Sequence, residues 1–115
     1  MKKIFRLKNS VIIGSIVQNR IKISNEFYTI YYKKTNDEKK IAFVASKKCG
    51  KAHNRNYLKR VMREITRPIF LQLPNIHAVV VVRDKANQLD FEDKKINLLS
   101  LYKRLIERLK NEKKL

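Results

Sequence analysis

The sequence predicts one α+β domain in which helices cover a single sheet, and three observations support this class. Its 115 residues, 43% of them hydrophobic, suit a small domain with a modest core. HAVVVVR at residues 77–83 is a continuous β-branched run, which is typical of a strand buried on both faces. Helical and strand patterns follow one another as helix, strands, helix, strand and helix, with no repeat or linker. We therefore expect a single domain over residues 1–115.

The first third of the chain is predicted to form a short helix followed by strands. Ser10 can cap a helix that reaches about Asn19. Residues 20–24 alternate between polar and apolar side chains, which indicates a short strand. FYTIYY at residues 27–32 is rich in aromatic and β-branched residues, which favours another strand. Alternation places Tyr31 and its neighbours two residues away on one face of that strand.

A polar segment separates this strand from the next one. TNDEKK at residues 35–40 is predicted to be a turn, and IAFVAS at residues 41–46 is predicted to be a further apolar strand. Because the turn is short, we expect the strands at residues 27–32 and 41–46 to pair as an antiparallel hairpin.

The stretch SKKCGKAHNRNYLKRVMRE at residues 46–64 carries the strongest chemical signal, because no acid interrupts its cations until Glu64. From about Ala52 the spacing is helical, and Pro68 is expected to end or kink the helix. Its cationic arc holds Arg55, Asn56, Lys59, Arg60, Arg63 and Arg67, and its apolar arc holds Leu58, Val61, Met62, Ile65 and Ile69, with Tyr57 at the edge. One face can therefore pack on a core while the other presents positive charge to a polyphosphate.

The C-terminal part is predicted to form an amphipathic helix. Asp90 and Asp93 have the spacing of a capping box at its start. Leucine and tyrosine residues then recur at helical spacing from Leu98 to Leu109. The acids near the start are explained by the helix dipole, which favours negative charge there.

The charge balance limits the possible partners. The chain has 28 Lys and Arg residues against 10 Asp and Glu residues, which gives a net charge of +18. Such a field attracts nucleic acid or an anionic membrane surface. A membrane partner is disfavoured because the cations lie within a folded pattern and no lipidation motif is visible. Nucleic acid is therefore the expected partner, and phosphate or sulfate ions are expected to bind the free protein.

The residue types that usually perform catalysis or bind metals are sparse. Cys49 is the single cysteine, so no internal disulfide and no CxxC metal motif are possible. His53 and His77 lie on separate predicted elements without a carboxylate or cysteine cluster beside them. We expect no protein-based catalytic site, no zinc site and no organic cofactor. The opening residues lack the apolar run of a signal peptide, so a cytoplasmic location is expected.

The segment ASKKCGKAHNRNYLKRVMRE, at residues 45–64, resembles the signature of the bacterial ribonuclease P protein subunit. That family shows Ser-Lys-Lys, a nearby glycine, Arg-Asn-Arg, and then Lys-Arg and Arg-Glu at helical spacing. The matching residues here are Ser46-Lys47-Lys48, Gly50, Arg55-Asn56, Lys59-Arg60 and Arg63-Glu64. The resemblance extends over nearly the whole chain, from Arg6-Leu7-Lys8 to the loop-to-helix joint at residues 88–92.

The resemblance implies a more specific fold than periodicity does. The implied element order is α-β-β-β-α-β-α, with a mixed four-stranded sheet packed by helices. The family has a left-handed βαβ crossover at the basic helix, whereas the general rule for such crossovers predicts the right-handed form.

The resemblance also implies a function. Proteins of this family join a catalytic RNA that removes the 5′ leader from precursor tRNA, and they broaden its substrate specificity. The RNA and the Mg²⁺ that it binds carry out the hydrolysis, so no catalytic residue is expected in the protein. The implied partners are the catalytic RNA and the single-stranded leader.

Two sets of residues take roles under this resemblance. The RNA-binding set is Lys47, Lys48, Lys51, Arg55, Asn56, Lys59, Arg60, Arg63 and Arg67. The leader-cleft set is Ile13, Val17, Tyr31, Val44, Ser46 and Lys48. Asn56 is also a candidate for holding a hydrated metal ion through its water shell, and other metal positions are left open.

The sequence departs from the family pattern at two places. Tyr57 stands where the third residue of Arg-Asn-Arg is expected, so packing or stacking would replace phosphate binding there. Ile13 stands where the family usually offers a phenylalanine to the cleft, and an aliphatic side chain cannot stack on a base as an aromatic ring does.

Two other functions are compatible with the composition. A stand-alone RNA-binding protein, such as a small ribosomal protein, would carry similar charge. A protein nuclease would cleave precursor tRNA by itself in the presence of Mg²⁺, and we expect no such cleavage. Reconstitution with a bacterial catalytic RNA distinguishes these alternatives.

Overall fold

The structure, a computed structural model, describes Leu7 and residues 10–113, without the side chains of Ser10 and Lys113. The residues Arg6 and Lys8 of the opening motif lie outside this part. The helices and strands are α1 (Ser10–Gln18), β1 (Lys22–Ser24), β2 (Tyr28–Lys34), β3 (Lys40–Ala45), α2 (Ala52–Thr66), β4 (Ile76–Val82) and α3 (Phe91–Lys113). This order confirms the predicted α-β-β-β-α-β-α arrangement, and the strands form one mixed four-stranded sheet.

The sheet has the strand order β1-β2-β4-β3, so the predicted hairpin between residues 27–32 and 41–46 is wrong. Strand β4 pairs antiparallel with β2 and parallel with β3, and it separates the two. Central strands are covered on both faces, and the continuous β-branched run of β4 suits that position better than either neighbour does. The turn after β2 passes the start of β4, where the Thr35 N–H donates to the Asn75 carbonyl over 3.1 Å.

Helix α2 connects the parallel neighbours β3 and β4, as the predicted βαβ unit requires. The left hand of that crossover stays a prediction. Helix α2 ends at Thr66, two residues before Pro68, as expected from the clash of a proline ring with the preceding turn. A 3-10 helix at Arg67–Gln72 then leads towards β4.

The large core lies between one face of the sheet and helices α2 and α3. Its largest fully buried side chains are Tyr28, Ile30, Ile41, Leu58, Met62, Ile76, Leu98, Leu101, Tyr102 and Leu105. Thr66 joins the two helices, because its hydroxyl donates to the Met62 carbonyl over 2.7 Å and contacts the Tyr102 hydroxyl at 2.7 Å. Burial raises the pKa of Tyr28 to about 12, since the surrounding apolar groups disfavour a phenolate.

The opposite face of the sheet holds a smaller cluster under α1. Its buried members are Leu7, Ile16, Ala42 and Val79, and its half-buried members are Ile13, Val17, Tyr31, Val44 and Val81. A nine-residue helix is too short to cover four strands, so much of this apolar surface is only partly covered. The leader cleft was predicted on this face.

Helix α3 begins as its sequence predicted. The Asp93 N–H donates to the Asp90 carboxylate over 2.8 Å, which satisfies one of the free amides at the helix start. None of the helices in the described part of the chain is long and apolar enough to cross a membrane.

Candidate nucleic-acid interface

Helix α2 is oriented by its apolar arc, which places the cationic arc at the surface. Leu58, Met62 and Ile65 are buried in the large core. The ridge of Arg55, Lys59 and Arg63 is therefore held half-buried at the flank of the helix, and Arg60 is exposed. The predicted division of this helix into a packing face and a charged face is confirmed.

The segment before α2 adds further cations to the same region. Lys47 and Lys48 are exposed on a 3-10 turn, and Lys51 is the residue that precedes the first turn of α2. Gly50 has a φ of 113°, a conformation that side chains disfavour, so a glycine is needed between the two elements. The 3-10 turn is anchored from behind, because Asn54 and Asn87 both donate to the Cys49 carbonyl.

Most cations of this region form no ion pair with the acids that the structure describes. Within the described residues the two ion pairs are Lys34 with Glu112 at 2.9 Å and Lys85 with Glu26 at 3.7 Å, both elsewhere on the molecule. Seven predicted RNA-binding residues form no ion pair in that part of the chain: Lys47, Lys48, Lys51, Arg55, Lys59, Arg60 and Arg67. Mutual repulsion among them is relieved by an external polyanion, which is the property expected of a phosphate-binding surface.

Tyr57 and Arg60 form a pair on the outer surface of α2. The Arg60 guanidinium carbon lies 5.9 Å from the centroid of the Tyr57 ring, which is within the range of a cation–π contact. Tyr57 is 43% exposed, so the ring is not part of the core. The contact with Arg60 packs the ring at the protein surface and not in the core, and stacking on a base stays a prediction.

An apolar cleft runs between α1 and the edge strand β3. Ile13 on α1 faces Ala42 and Val44 on β3 across a cavity of about 200 Å³. Arg63 of α2 lines the same cavity, so the cationic ridge reaches the rim of the cleft. The predicted cleft and the predicted phosphate-binding face are therefore contiguous.

Tyr31 lies on the cleft side of the sheet, in one cluster with Val17 and Val44. The Lys22 ammonium is 5.7 Å from the centroid of its ring, and Lys22 is the cross-strand neighbour of Tyr31. Two residues before Tyr31 on the same strand, the Thr29 hydroxyl accepts a hydrogen bond from Arg83 over 3.1 Å. The aromatic ring is therefore flanked by fixed positive charge.

Two predicted cleft residues lie beyond the end of β3. Ser46 has an extended backbone, so it stays on the side of the sheet occupied by Val44. Lys48 belongs to the 3-10 turn, where strand alternation does not place its side chain, so its role in the cleft stays a prediction. Both residues are exposed.

Sequence reasoning missed several cations that border the cleft. Arg63 was assigned to the helix ridge alone, and Lys22 and Arg83 were assigned to no site. Only the strand registers bring Lys22 opposite Tyr31 and carry Arg83 past the end of β4 towards β2. A signal for Lys22 did exist, because residues 20–24 were predicted to be extended just before the aromatic strand.

The described residues contain no group of three or more His, Cys, Asp or Glu side chains that could hold a metal ion. Asn56 is exposed on the cationic arc of α2, where its neighbours repel a divalent cation. These surroundings do not fit a metal held directly by the protein. His53 is exposed and His77 is half-buried on a different element, so the two histidines do not form one site.

The fold and the site together define a class: a small basic α+β domain whose cationic helix borders an apolar cleft, a surface suited to RNA. The family model described as Ribonuclease P matches residues 1–106, and the chain belongs to the ribonuclease P protein family. The ribonuclease P protein component of Phytoplasma australiense is 35% identical over 98 residues, which cover 83% of this chain and 85% of the relative. The ribonuclease P protein component of Streptococcus gordonii is 30% identical over 105 residues, which cover 90% of this chain and 87% of the relative.

Solved structures agree with this assignment. The ribonuclease P protein of Thermotoga maritima superimposes with a TM-score of 0.77 at 31% identity, covering 86% of this chain and 96% of that protein. The Staphylococcus aureus protein gives a TM-score of 0.82 at 21% identity, covering 88% of this chain and 94% of that protein. At that lower identity the second likeness concerns the fold alone.

Proposed function

We propose that this protein binds the catalytic RNA of ribonuclease P through the cationic face of α2 and holds the 5′ leader of precursor tRNA in the cleft beside α1. Its family identifies it as the accessory protein subunit of that tRNA-processing enzyme. The chemical step, hydrolysis of one phosphodiester bond, belongs to the RNA subunit. The protein contributes binding and orientation of the substrate, which raise the rate by fixing the geometry of the reacting groups.

The position of Arg63 supports this proposal most directly. It extends from the cationic ridge to the wall of an apolar cavity that also contains Ile13 and Val44. A single strand has two chemistries to satisfy, a charged backbone and apolar base faces. The cleft offers both kinds of contact close together, because a base can lie on the apolar residues while its phosphate approaches Arg63.

Tyr31 supplies the aromatic surface that Ile13 lacks. Its ring is half-buried in the cleft cluster and already lies beside the Lys22 ammonium. Stacking on an aromatic ring is tolerant of base identity, since every base offers a π-face. A leader of variable sequence is therefore an appropriate ligand for this cleft.

Mg²⁺ would be bound mainly by the RNA subunit, where it supplies the charge neutralisation that phosphodiester hydrolysis needs. The protein's part is electrostatic, because its cations lower the repulsion between the phosphates of the two RNAs. Asn56 is proposed to contact a metal ion only through water. We also propose that the protein acts in the cytoplasm.

Reconstitution tests the function. The protein is mixed with a bacterial ribonuclease P RNA and a precursor tRNA at a Mg²⁺ concentration at which the RNA alone is slow. We expect faster release of the leader, and a precursor with its leader shortened to one nucleotide should gain less. The protein alone with Mg²⁺ should leave the precursor intact. A lack of stimulation would favour a stand-alone RNA-binding protein, and cleavage by the protein alone would favour a nuclease.

A further inference from the structure

A second group of basic residues lies on the α1 side of the sheet, at the end remote from the exposed Ser46. The strand registers align Lys33 of β2, His77 of β4 and Lys40 of β3 as direct cross-strand neighbours. Alternation puts all three side chains on the face that carries Tyr31, Val79 and Ala42. This Lys33–His77–Lys40 row is separate from α2, which packs on the opposite face.

Lys33 and Lys40 lie on the two strands that flank His77, so their like charges are held on one face of the sheet and the row needs an explanation. The neighbouring lysines have structural partners: Lys34 pairs with Glu112, and Lys39 donates to the Leu71 and Leu73 carbonyls. Lys33 and Lys40 have no side-chain ion-pair or hydrogen-bond partner in the described part of the chain. The exposed acids Asp37 and Glu38 in the adjoining turn form no ion pair with them there.

His77 adds a second, independent observation. Its Nε2 atom is buried and has no hydrogen-bond partner among the described residues. A buried polar atom without a partner costs free energy, so a site of this kind gains by accepting a ligand that provides one. The ring lies between the two lysines in the row.

The surroundings provide room and hydroxyl donors. A cavity of about 400 Å³ is lined by His77 and Lys33 together with Ser15 of α1 and Thr35. The Thr35 hydroxyl oxygen accepts the Asp37 N–H over 3.1 Å, which leaves its proton available to donate. The Lys33 ammonium, the two hydroxyls and the imidazole match the several acceptor oxygens of a phosphate group, and Lys40 is the other cross-strand neighbour of His77.

We propose that Lys33, His77 and Lys40 form a phosphate-binding site on the α1 face of the sheet, distinct from the phosphate-binding face of α2. The ligand is a phosphate group, supplied by an RNA backbone or as an inorganic anion. Only the RNA source rests on the proposed function. The cavity beside Lys33 and His77 and the cleft cavity are lined by different residues of α1, so an RNA that occupied both would contact that helix at two places.

The test uses the full chain and inorganic phosphate, followed by nuclear magnetic resonance at constant ionic strength. The His77 ring and the Lys33 and His77 amides report this site separately from the residues of α2. We expect saturable shifts in the wild type and a dissociation constant roughly tenfold weaker in the Lys33→Ala/Lys40→Ala variant. Lys95→Ala/Lys110→Ala removes the same charge from exposed positions of α3 and should leave the constant unchanged.

A second arm identifies the source of the phosphate. Binding of precursor tRNA and of the catalytic RNA is measured separately against salt concentration. A slope that falls by about 0.7 in Lys33→Ala/Lys40→Ala with one of these RNAs assigns the site to that RNA. Unchanged slopes with altered phosphate binding assign it to a free anion.

The site does not exist if His77 is unmoved by phosphate in the wild type, or if both double variants weaken phosphate binding equally. Neither result bears on leader removal in the reconstituted enzyme, so the proposed function is tested separately. Circular dichroism of each variant establishes that it is folded before binding is compared.

Discussion

The two faces of the sheet differ in how completely they are covered. On one face, α2 and α3 bury large side chains such as Tyr28, Met62 and Leu105. On the other face, α1 leaves Tyr31 and Val44 half-buried. The comparison indicates that stability is concentrated on the α2/α3 face, whereas the α1 face keeps apolar surface available for a ligand.

Burial explains why the α2/α3 face contributes most of the stability, and charge explains why the α1 face suits a ligand. Removal of apolar area from water stabilises the fold by about 25 cal/mol per Å², so fully buried side chains contribute most. Half-buried apolar residues contribute less to folding and can still contact a base. The cations that border them, Lys22, Arg63 and Arg83, come from three different parts of the chain.

The largest expected effect contrasts the two faces directly. Leu105→Ala should lower the free energy of unfolding by about 2–5 kcal/mol, because it leaves a cavity in the large core. Ile13→Ala should cost about 1 kcal/mol or less, since its side chain is only partly buried. Urea unfolding of both variants in the same sulfate buffer measures the difference. Equal losses would contradict the division between the faces.

Ile13→Ala should instead reduce the affinity for a precursor tRNA that carries a leader. The affinity of this variant for mature tRNA should be unchanged, because the leader is the proposed ligand of the cleft and mature tRNA lacks it. Leu105→Ala, measured where it is folded, should bind both RNAs as the wild type does.

The next effect concerns the cationic face of α2. Replacing Arg55 and Arg60 together by alanine should weaken binding of the catalytic RNA about tenfold or more. The plot of the logarithm of the binding constant against the logarithm of the salt concentration should also become less steep, by about 0.9 for each duplex phosphate that is no longer neutralised. Fluorescence anisotropy over a salt series measures both. The Lys95→Ala/Lys110→Ala variant serves as the control of equal charge. A slope that does not change would exclude these arginines from phosphate binding.

Substitutions at Tyr57 separate the contribution of stacking to RNA binding from the contribution of charge on the same face. Tyr57→Ala should weaken RNA binding by about 1 kcal/mol without altering the salt slope, because the charge of the protein stays the same. Tyr57→Phe should retain the affinity, whereas Tyr57→Arg should steepen the slope. If Tyr57→Ala binds RNA as tightly as the wild type does, the ring does not stack on a base.

The smallest expected effect is stabilisation of the free protein by anions. Sulfate that occupies the cationic surfaces should raise the free energy of unfolding by about 0.8 kcal/mol at about three times its dissociation constant. Circular dichroism during urea unfolding, in sulfate and in chloride of equal ionic strength, measures this difference. The Arg55/Arg60 variant should gain less. Identical curves in the two salts would show that charge repulsion does not limit folding.

Most elements were predictable because their signals are local. The cationic and apolar arcs of α2 follow from side-chain spacing within one helix, and the end of that helix follows from Pro68. The start of α3 is likewise marked by a local hydrogen bond, from the Asp93 N–H to the carboxylate of Asp90, the residue before the helix. The residues of the cationic face could therefore be assigned without any knowledge of tertiary structure.

Strand pairing was less predictable because it depends on distant residues. A short polar turn between β2 and β3 favours a hairpin, and it was outweighed by the gain from burying β4 on both faces between them. Strand registers also decide which cations border the cleft, since the β1–β2 register brings Lys22 to Tyr31 and the β2–β4 register brings Arg83 to Thr29.

The sequence by itself determined a basic α+β domain, a helix with one cationic arc and a central apolar strand, because periodicity and charge are properties of neighbouring residues. Only the tertiary structure decided that β4 lies between β2 and β3, that Arg63 reaches the cleft, and that Lys33, His77 and Lys40 form a row. These features depend on which strands pair and which surfaces become buried when the sheet forms. Strand pairing joins residues that are far apart in the sequence, so the residue spacing within one segment does not predict it.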